Sequence, residues 1–363
     1  MRISFILPPP NMSGGIKVVA IYAKALVARG HNVTLIASMH KKIGYKHCVK
    51  SFLKGKGWPS RKSLYKSHLD GQGLDYRILN KFRPIIDSDV PNADIVIATW
   101  WETAEWVDHL SEEKGVKVYF VQGHEVFPHL PIERVQATYK LPLQKIVIAR
   151  WLQELMSKEY GDSSSVLVSN AVDHKQFFAA PRGKQKVPTI GFLYATIFSK
   201  GMDIALKAIE KIREKYPKLR VICFGIYMPE EGFDKDIEFH YSPHQENIRE
   251  LYAQCDVWVT ASRTEGFNLP AMEAMACRTP VVSTKAGWPA EGVVSGKNGV
   301  LVNVDDIEAI VEGIQWVFNL SEEKWKSVSN CAANTVADCS WGNSASKFEE
   351  ALERTYLEQR VEK

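Results

Sequence analysis

The sequence predicts an α/β protein built from two Rossmann-like halves, each with a parallel sheet covered by helices on both faces. Short apolar, β-rich runs alternate along the chain with amphipathic helical patterns. The alternation stops in a polar segment rich in Pro, Gly and Lys at 179–188 and then begins again. At 363 residues the chain is also too long for one ordinary domain and about right for two.

The strands and helices can be followed in order. In the first half, RISFILP is a strand, a turn-rich loop with Gly14-Gly15 follows, and a helix then ends at Gly30. Further strands of this half are predicted at HNVTLIAS, ADIVIATW, KVYFVQG, KIVIA and SVLVSNAV. In the second half, strands are predicted at PTIGFLYA, LRVICFG, DVWVTAS, PVVSTKAG and NGVLVN. The predicted domains are 1–178 and 189–340, followed by a long amphipathic helix in 341–363.

Composition places the chain among ordinary globular proteins, with 45% apolar and 24% charged residues. Its six cysteines include no C-x-x-C pair, and MRISFILPPP is too short before its prolines to be a signal peptide. No apolar run is long enough to span a bilayer. We therefore expect a cytoplasmic protein with reduced thiols.

The net charge of +4 conceals a basic first half and an acidic second half. From His40 to Lys66 the chain carries nine Lys or Arg, interleaved with aromatic residues. One interpretation of the segment 40–66 is a solvated basic loop. The other is a peripheral contact with anionic lipid at the inner face of the membrane, or with a phosphate-bearing acceptor. Single-stranded nucleic acid is disfavoured because no nucleic-acid module accompanies the segment.

The stretch TEGFNLPAMEAMA, residues 264–276, is the most informative part of the sequence. It places Glu265 at the end of a buried strand and Glu273 in the early turns of the next helix, which starts near Pro270. In open α/β sheets this edge binds ligands. Free N–H groups at the helix start provide a seat for phosphate or sugar oxygens. They belong to Phe267, Asn268 and Leu269.

Several other residues are candidates for the same chemistry. Lys200-Gly201 follows the first strand of the second half, so the lysine is either a point charge on a diphosphate or an ordinary solvated lysine. Arg263 is either a second cation for the ligand or a salt-bridge partner of Glu265. In the first half, Gly14 and Gly15 let a backbone approach a ligand closely, although they do not form the G-x-G-x-x-G fingerprint.

His124-Glu125 and Asp87-Ser88-Asp89 complete the set of candidates. His124 follows a strand, where a histidine serves as an acid, base or hydrogen-bond donor, or has a structural role alone. Asp87-Ser88-Asp89 matches the D-x-D metal motif, but it lies in a polar lead-in to a strand and is interpreted as a loop. The remaining histidines show no metal spacing. No metal site is predicted.

Together these segments resemble the retaining family-4 glycosyltransferases, which have the GT-B fold. The E-x7-E motif is met by Glu265 and Glu273, and the K-G motif by Lys200-Gly201. The N-G-V-D-x-x-x-F segment is met, with alanine for glycine, by residues 170–177. Gly14-Gly15 and His124-Glu125 match the glycine loop and the His-acidic pair. The resemblance covers both halves and is strongest in the second.

The resemblance implies two Rossmann-like domains facing each other across a cleft, with the last helix crossing back onto the first domain. It implies transfer of a hexose or 6-deoxyhexose from a nucleoside-diphosphate sugar to a glycan or lipid-linked acceptor, in polysaccharide or glycolipid synthesis, without a metal or other cofactor. Glu273 would hold the ribose and Lys200 the diphosphate. Glu265 would face the donor sugar, and His124 would lie near the donor sugar and the acceptor. Gly15 would let a backbone N–H reach a phosphate.

The chain departs from the family pattern at two positions. The arginine expected after Gly191 is Phe192, so one diphosphate cation is missing, and Arg263 or Lys285 is the expected substitute. The position after Phe267, often glycine, is Asn268, which is expected to affect the choice of donor sugar.

Two other classes of function stay open on the sequence. A GT-B protein that binds a sugar nucleotide without catalysis is the main alternative, and the joint presence of Glu265, Glu273, Lys200 and His124 argues against it. A nicotinamide-dependent oxidoreductase is suggested only by the Rossmann-like pattern, and the absent G-x-G-x-x-G counts against it.

Overall fold

The computed structural model describes residues 1–40 and 66–361. The predicted basic segment 40–66 lies outside the described residues except for its two ends. The described chain divides into two compact units. The first unit comprises residues 1–148, 152–169 and 342–363, and the second comprises 149–151 and 170–341.

The first unit contains a seven-stranded, wholly parallel sheet in the order β3-β2-β1-β4-β5-β6-β7. The strand β1 is central, and five of its six residues are buried because helices cover both faces of the sheet. The strands are β1 (Arg2–Leu7), β2 (Asn32–Ala37), β3 (Asp75–Ile78), β4 (Ile95–Ala98), β5 (Val116–Val121), β6 (Gln144–Val147) and β7 (Val166–Leu167). The first four helices of the described chain are α1 (Gly14–Ala28), α2 (Trp101–Asp108), α3 (Ile132–Thr138) and α4 (Arg150–Tyr160).

The second unit contains a six-stranded parallel sheet in the order β10-β9-β8-β11-β12-β13. Its core joins the sheet to the apolar stripes of the flanking helices and includes the buried indole of Trp325. The strands are β8 (Thr189–Leu193), β9 (Arg220–Gly225), β10 (Glu238–Tyr241), β11 (Val257–Thr260), β12 (Val281–Thr284) and β13 (Gly299–Val302). The helices are α5 (Met202–Lys215), α6 (Gln245–Ala253), α7 (Leu269–Ala276), α8 (Pro289–Gly292), α9 (Ile307–Asn319) and α10 (Glu322–Val336).

The final helix, α11 (Trp341–Val361), packs within the first unit from Gly342 onward. Phe348 is its buried anchor. The ring of Phe348 stacks on Tyr22 with centroids 4.4 Å apart and meets Phe120 edge-on at 5.1 Å. Aromatic burial of this kind makes α11 part of the core of the first unit.

The segment 179–188, expected to be a linker, packs onto the second unit instead. Arg182 donates from Nη2 to the Cys255 carbonyl at 2.6 Å and to Thr279 Oγ1 at 2.9 Å, and its guanidinium lies 4.6 Å from the Trp325 ring centre. The Gln185 N–H donates to Asp256 at 2.7 Å. The polar residues that suggested a solvated linker instead form hydrogen bonds with the second unit.

Candidate functional site

The topology of the second unit reverses between β8 and β11, which are hydrogen-bonded neighbours. The chain moves outward from β8 through β9 to β10, and then returns to the other side of β8 as β11. A crevice opens outside the carboxyl ends of the strands at such a reversal. The loops that follow β8 and β11, residues 194–201 and 261–268, border this crevice and carry most of the predicted donor-site residues.

An ion pair joins these two loops. Lys200 Nζ lies 2.7 Å from Glu265 Oε1 and 2.8 Å from Oε2. Ser262 Oγ donates to the same Oε1 at 2.8 Å. The lysine side chain is 30% exposed and the glutamate side chain 10%, so the carboxylate is held in place while the ammonium stays accessible. The structure therefore brings together two residues that the sequence assigned to one site.

Gly201 explains how the loops approach so closely. Its φ is +62°, in the left-handed region, and a Cβ added there would lie 1.9 Å from the Ala261 carbonyl oxygen. The Arg263 N–H also donates to the Ser199 carbonyl at 2.7 Å. The glycine of the K-G pair thus allows the backbone contact that places Lys200 beside Glu265.

Arg263 has partners other than Glu265. Its Nη1 and Nη2 bond both oxygens of Asp203 at 2.9 and 2.8 Å, and its Nε lies 2.7 Å from Asp305. Its guanidinium also covers the Phe198 ring at 3.9 Å. Two carboxylates neutralise this cation, so in this structure it braces the Lys200 loop.

Phe192, which stands where the family pattern has arginine, gives β8 an apolar end. Phe192 is buried in the core of the second unit, where it packs as an ordinary strand residue. Lys285, one expected substitute, bonds Asn303 Oδ1 at 3.0 Å. The structure therefore leaves Lys200 as the cation beside Glu265, while Arg263 and Lys285 are held by other partners.

The helix α7 begins beside this ion pair with an open N-terminus. Asn268 precedes the helix with φ 74° and ψ 59°, and its side chain does not cap the helix. Among the described residues, no acceptor takes the backbone N–H groups of Phe267, Asn268 or Leu269. Unpaired N–H groups and the helix dipole favour an anion at this position.

The loop before α7 is held from the opposite side. The Trp288 N–H donates to the Phe267 carbonyl at 2.7 Å, and the two rings stack with centroids 6.1 Å apart. Gly287, with φ +74°, lets its backbone lie against Glu265 and Phe267, because a Cβ would come within 2.9 Å of both residues. This support fixes the backbone that presents Glu265.

Glu273 lies on the second turn of α7 and is buried. Tyr252 on α6 donates its hydroxyl to Glu273 Oε2 at 2.9 Å. A buried carboxylate needs such donors to offset lost hydration. The two glutamates of the motif therefore have different settings: Glu265 in an ion pair at the crevice, Glu273 against a phenol in the helix layer.

Several residues that build this site were not predicted from the sequence: Tyr252, Thr260, Ser262, Gly287 and Trp288. Thr260 and Ser262, at the end of β11, were a signal for a polar site. Hydrogen-bonding side chains at the end of a buried strand need partners, so their presence indicates other polar groups nearby. Tyr252 resembled an ordinary core aromatic. Its partner lies 21 positions away, which no local pattern reveals.

In the first unit, Gly14 and Gly15 form the first turn of α1. Ser13 precedes them and does not cap the helix with its side chain. A Cβ at Gly14 would meet nothing within 4 Å, and one at Gly15 would only touch the Gln122 side chain at 3.5 Å. The paired glycines therefore add no side chains of their own to the N-terminal turn of α1.

His124 follows β5 in a cluster of aromatic residues. Its Nε2 lies 2.7 Å from the Tyr160 hydroxyl, and the rings of Tyr139 and Tyr160 are centred 5.6 and 5.9 Å away. Partial burial lowers the pKa of His124, with a smaller opposing effect from Glu159. The neutral imidazole is therefore favoured, which suits a hydrogen-bonding role.

Glu125 is buried beneath this cluster rather than aimed at solvent. Its Oε2 accepts the Trp101 N–H at 2.8 Å at the start of α2, and its own N–H donates to the Tyr139 hydroxyl at 2.8 Å. Burial raises the pKa of Glu125 well above its usual range, more than the hydrogen bonds from the Trp101 N–H and the Tyr119 hydroxyl lower it. The acidic member of the His-acidic pair therefore anchors the loop that carries His124.

The D-x-D segment forms a single 3-10 turn instead of an open loop. Asp89 pairs with both terminal nitrogens of Arg83 at 2.5 and 2.7 Å, and Asp87 accepts the Ser111 N–H at 2.9 Å. Both carboxylates therefore have structural roles. Asp87 also has its pKa lowered, first by the Ser111 N–H.

One group in the described chain, His31 with Glu349 and Glu353, has the spacing of metal ligands. His31 already bonds Glu349 at 2.6 Å and the Met1 amino group at 3.0 Å. Arg29 also pairs with Glu349. These contacts tie α11 to the first unit, and the group is best described as a structural ion-pair cluster.

Comparisons with known proteins agree with this geometry. Residues 173–335 match the family described as glycosyl transferases group 1. The chain is 28% identical over 177 residues to D-inositol 3-phosphate glycosyltransferase of Corynebacterium urealyticum, covering 44% of this chain and 42% of that protein. It is 24% identical over 222 residues to a GDP-mannose-dependent phosphatidylinositol monomannoside mannosyltransferase of Mycolicibacterium smegmatis, covering 53% and 58%. The chain therefore spans about half the length of these relatives.

Solved structures show the fold across nearly the whole chain. Sucrose-phosphate synthase from Thermosynechococcus elongatus superposes with a TM-score of 0.72 at 15% identity, over 98% of this chain and 99% of that one. Anabaena Alr3699/HepE in complex with UDP and glucose gives 0.73 at 16% identity, over 97% and 99%. These neighbours confirm the prediction of a GT-B fold.

The two parallel sheets, of the order described above, form the GT-B fold, and the Lys200–Glu265 pair lies at the reversal in the second sheet. The match to the glycosyl transferases group 1 covers residues 173–335, and these residues contain the E-x7-E motif and Lys200-Gly201. This match agrees with the family resemblance predicted from the motifs. Among the described helices, none is long and apolar enough to cross a membrane.

Proposed function

We propose that the protein is a retaining glycosyltransferase. It transfers a hexose or 6-deoxyhexose from a nucleoside-diphosphate sugar to a glycan or lipid-linked acceptor. The observation that carries this proposal is the Lys200–Glu265 pair beside the open N-terminus of α7. A lysine, unpaired backbone N–H groups and a fixed carboxylate at one sheet edge suit a ligand that carries phosphates and hydroxyls together.

The second unit binds the donor in this proposal. Glu273 accepts hydrogen bonds from the ribose hydroxyls, while Tyr252 keeps its carboxylate oriented. The N–H groups at the start of α7 and the Lys200 ammonium bind the diphosphate. Lys200 has three N–H donors and gives at most two to Glu265, so one is left for a phosphate oxygen. Glu265 then faces the sugar.

The reaction needs no metal in this proposal, because the ammonium and the helix N-terminus stabilise the negative charge of the leaving group. The bond between the sugar C1 and the diphosphate oxygen breaks. A bond from the acceptor oxygen to C1 forms on the same face, and the acceptor proton passes to the leaving phosphate. His124, whose lowered pKa favours the neutral form, is hydrogen-bonded by Tyr160 and in this proposal orients the acceptor by hydrogen bonding.

The relatives support an acceptor rich in hydroxyls or attached to a lipid. Their names include an inositol phosphate glycosyltransferase, a phosphatidylinositol monomannoside mannosyltransferase and a lipopolysaccharide core mannosyltransferase. Anabaena Alr3699/HepE is described in complex with UDP-glucose. Synthesis of a cell-surface polysaccharide or glycolipid, in the cytoplasm or at the inner face of the membrane, is the setting that fits these names.

A donor panel tests the proposal. Thermal shift with UDP, GDP, dTDP and ADP, and then with their sugars, identifies the donor, and release of free sugar from that donor measures catalysis without an acceptor. We expect one nucleotide class to stabilise the protein, hydrolysis of its sugar, and much slower hydrolysis by Glu265→Ala at similar nucleotide affinity. Binding without hydrolysis or transfer identifies an inactive binding protein, and stabilisation by NAD alone overturns the proposal.

A further inference from the structure

Asn268 occupies a backbone conformation that side chains rarely adopt. Its φ of 74° and ψ of 59° lie in the left-handed region, and the residue is 5% exposed. Asparagine tolerates this region better than most residues, but glycine occupies it without strain. The backbone turn therefore does not require a side chain here. A non-glycine residue held in this conformation at a ligand site points to a role for the side chain itself.

A directed chain of hydrogen bonds fixes the carboxamide of Asn268. Ser283 Oγ donates to the Thr284 carbonyl at 2.9 Å, which uses its only proton. Thr260 Oγ1, 2.7 Å from Ser283 Oγ, must therefore be the donor to Ser283. Thr260 Oγ1 then accepts from Asn268 Nδ2, at 3.1 Å. All four residues are buried, so water does not compete with this arrangement.

This proton accounting determines which way the amide faces. Because Thr260 offers a lone pair and not a proton, the NH₂ group of Asn268 must point toward it. The carboxamide oxygen consequently points away from Thr260. Asn268 also lines a cavity of about 20 Å³ together with Lys200 and Glu265. The site thus holds an oriented hydrogen-bond acceptor next to the ion pair that defines it.

We propose that Asn268 is a specificity-determining residue for the donor sugar, whose carboxamide oxygen accepts a hydrogen bond from one sugar hydroxyl. This inference rests on the proposed function and names how that site chooses among hexoses. A sugar that presents the hydroxyl elsewhere leaves a buried acceptor without a partner, and a site built to bond a hydroxyl rejects such a ligand strongly. Glycine at this position would lack the acceptor and would admit epimers more equally.

The test compares epimeric donors on matched variants. Calorimetry with the glucose, galactose and mannose esters of the preferred nucleoside diphosphate gives a selectivity ratio for the wild-type chain, expected to be about tenfold or more. Asn268→Gly keeps the backbone without strain and is expected to reduce that ratio at least about fivefold. Glycine retains the backbone N–H, and binding of the free nucleoside diphosphate shows that the variant is folded. An unchanged ratio in Asn268→Gly overturns the inference.

A second variant tests the hydrogen bond from Asn268 to Thr260 rather than the volume of the Asn268 side chain. Thr260→Val is nearly isosteric, retains Asn268 and removes the acceptor that orients its amide. We expect its selectivity ratio to fall toward that of Asn268→Gly, with free nucleotide binding showing that the variant is folded. Full selectivity in Thr260→Val contradicts the proposed orientation. If the wild-type chain binds no nucleotide sugar, the proposed function fails and this inference with it; binding with an unchanged ratio defeats the inference alone.

Discussion

Lys200 and Glu265 form a two-point ion pair, with Nζ 2.7 and 2.8 Å from the two carboxylate oxygens, across 65 positions of sequence. The glutamate is held by Ser262 as well, whereas the lysine is the more exposed partner. The pair therefore joins a fixed carboxylate to an ammonium that has a remaining donor. In the proposed function, this arrangement lets one lysine position the loop that carries Glu265 and also bind a phosphate.

Replacing Lys200 tests its phosphate contact. Lys200→Ala is expected to weaken nucleoside-diphosphate binding by at least about 1.5–3 kcal/mol, because a hydrogen bond to a charged group is lost. Isothermal titration with the free nucleoside diphosphate measures the change. Lys207→Ala, on the exposed side of α5, is the matched control and should bind normally.

A double variant separates loss of contact from repulsion. Lys200→Ala leaves the Glu265 carboxylate without its ammonium near the bound phosphates, whereas Lys200→Ala with Glu265→Gln removes that charge. Partial recovery of affinity in the double variant indicates repulsion as part of the effect. Affinity equal to the wild type in Lys200→Ala removes this lysine from the site.

Glu273 is expected to control nucleotide binding rather than turnover. Glu273→Ala should reduce affinity for the free nucleotide by about 1.5–3 kcal/mol, because the carboxylate hydrogen bonds to the ribose are lost. Calorimetry with the ribonucleotide and its 2′-deoxy analogue measures this. We expect the wild type to prefer the ribonucleotide and the variant to distinguish the two less.

Glu273→Gln provides the control for folding, because an amide oxygen still accepts from Tyr252. Alanine leaves that buried hydroxyl without this acceptor and is expected to lower the free energy of unfolding by about 1–3 kcal/mol. Unchanged nucleotide affinity in both variants would exclude Glu273 from the ribose site.

Gly201 makes a prediction about stability. Gly201→Ala adds a Cβ that would lie 1.9 Å from the Ala261 oxygen, so the Lys200 loop must move away from β11. We expect a loss of stability greater than the roughly 1–2 kcal/mol of left-handed strain alone, and weaker nucleotide binding. Urea denaturation and titration measure the two effects.

Gly296→Ala is the matched control for Gly201. Its φ is +79°, similarly left-handed, but a Cβ there would meet nothing within 4 Å. It should show the strain without the displacement of the loop, so nucleotide binding should be retained. Equal effects of the two substitutions on stability and on binding would contradict the role given to the Gly201 contact.

Glu125 predicts a pH-dependent stability. Burial raises its pKa in the folded protein, so the unfolded chain releases this proton at lower pH than the folded one. The contribution of this shift to the free energy of unfolding is fully present below the ordinary pKa of about 4.5. It is lost as pH rises toward the pKa of the folded protein. Glu125→Gln lacks this titration. As pH rises, the free energy of unfolding of Glu125→Gln should therefore increase relative to that of the wild type, by up to about 1.4 kcal/mol per pH unit.

Urea unfolding at pH 5, 6, 7 and 8 measures the difference between the two proteins. Glu133→Gln, on the exposed side of α3, is the control for a carboxylate that stays in water in both states. Parallel stability curves for Glu125→Gln and the wild type would show that Glu125 is ionised in the folded protein.

Much of the fold was predictable because its main signals are local. Buried strands such as β1 and β11 are continuous apolar runs, and Gly30 ends α1 where the pattern indicated. The sequence missed β3 and β10, which are edge strands with exposed or half-buried residues. These two edge strands lack the apolar run of a central strand, because each is paired on one side and its faces are not fully covered.

The end of the first domain also depends on contacts between residues that are far apart in the sequence. The sequence placed the end of the first domain at 178, whereas residues 170–178 lie in the second unit. Val172 bonds the Cys339 carbonyl, and the Phe177 ring meets Tyr252 edge-on at 6.0 Å. These contacts join residues 75 or more positions apart, so no local pattern reveals them. The boundary was therefore predicted from the polar composition of 179–188.

The sequence by itself determined the α/β class, the family motifs and the separation of Glu265 from Glu273 by one helix start. These features depend on residue order over a few turns of chain. Only the tertiary structure decided that Lys200 pairs with Glu265, that Arg263 pairs with two aspartates, and that Asn268 faces Thr260 with its amide nitrogen. Such partners are chosen by which strand ends meet at the sheet edge and by which buried donors find acceptors, and both depend on the whole packed sheet.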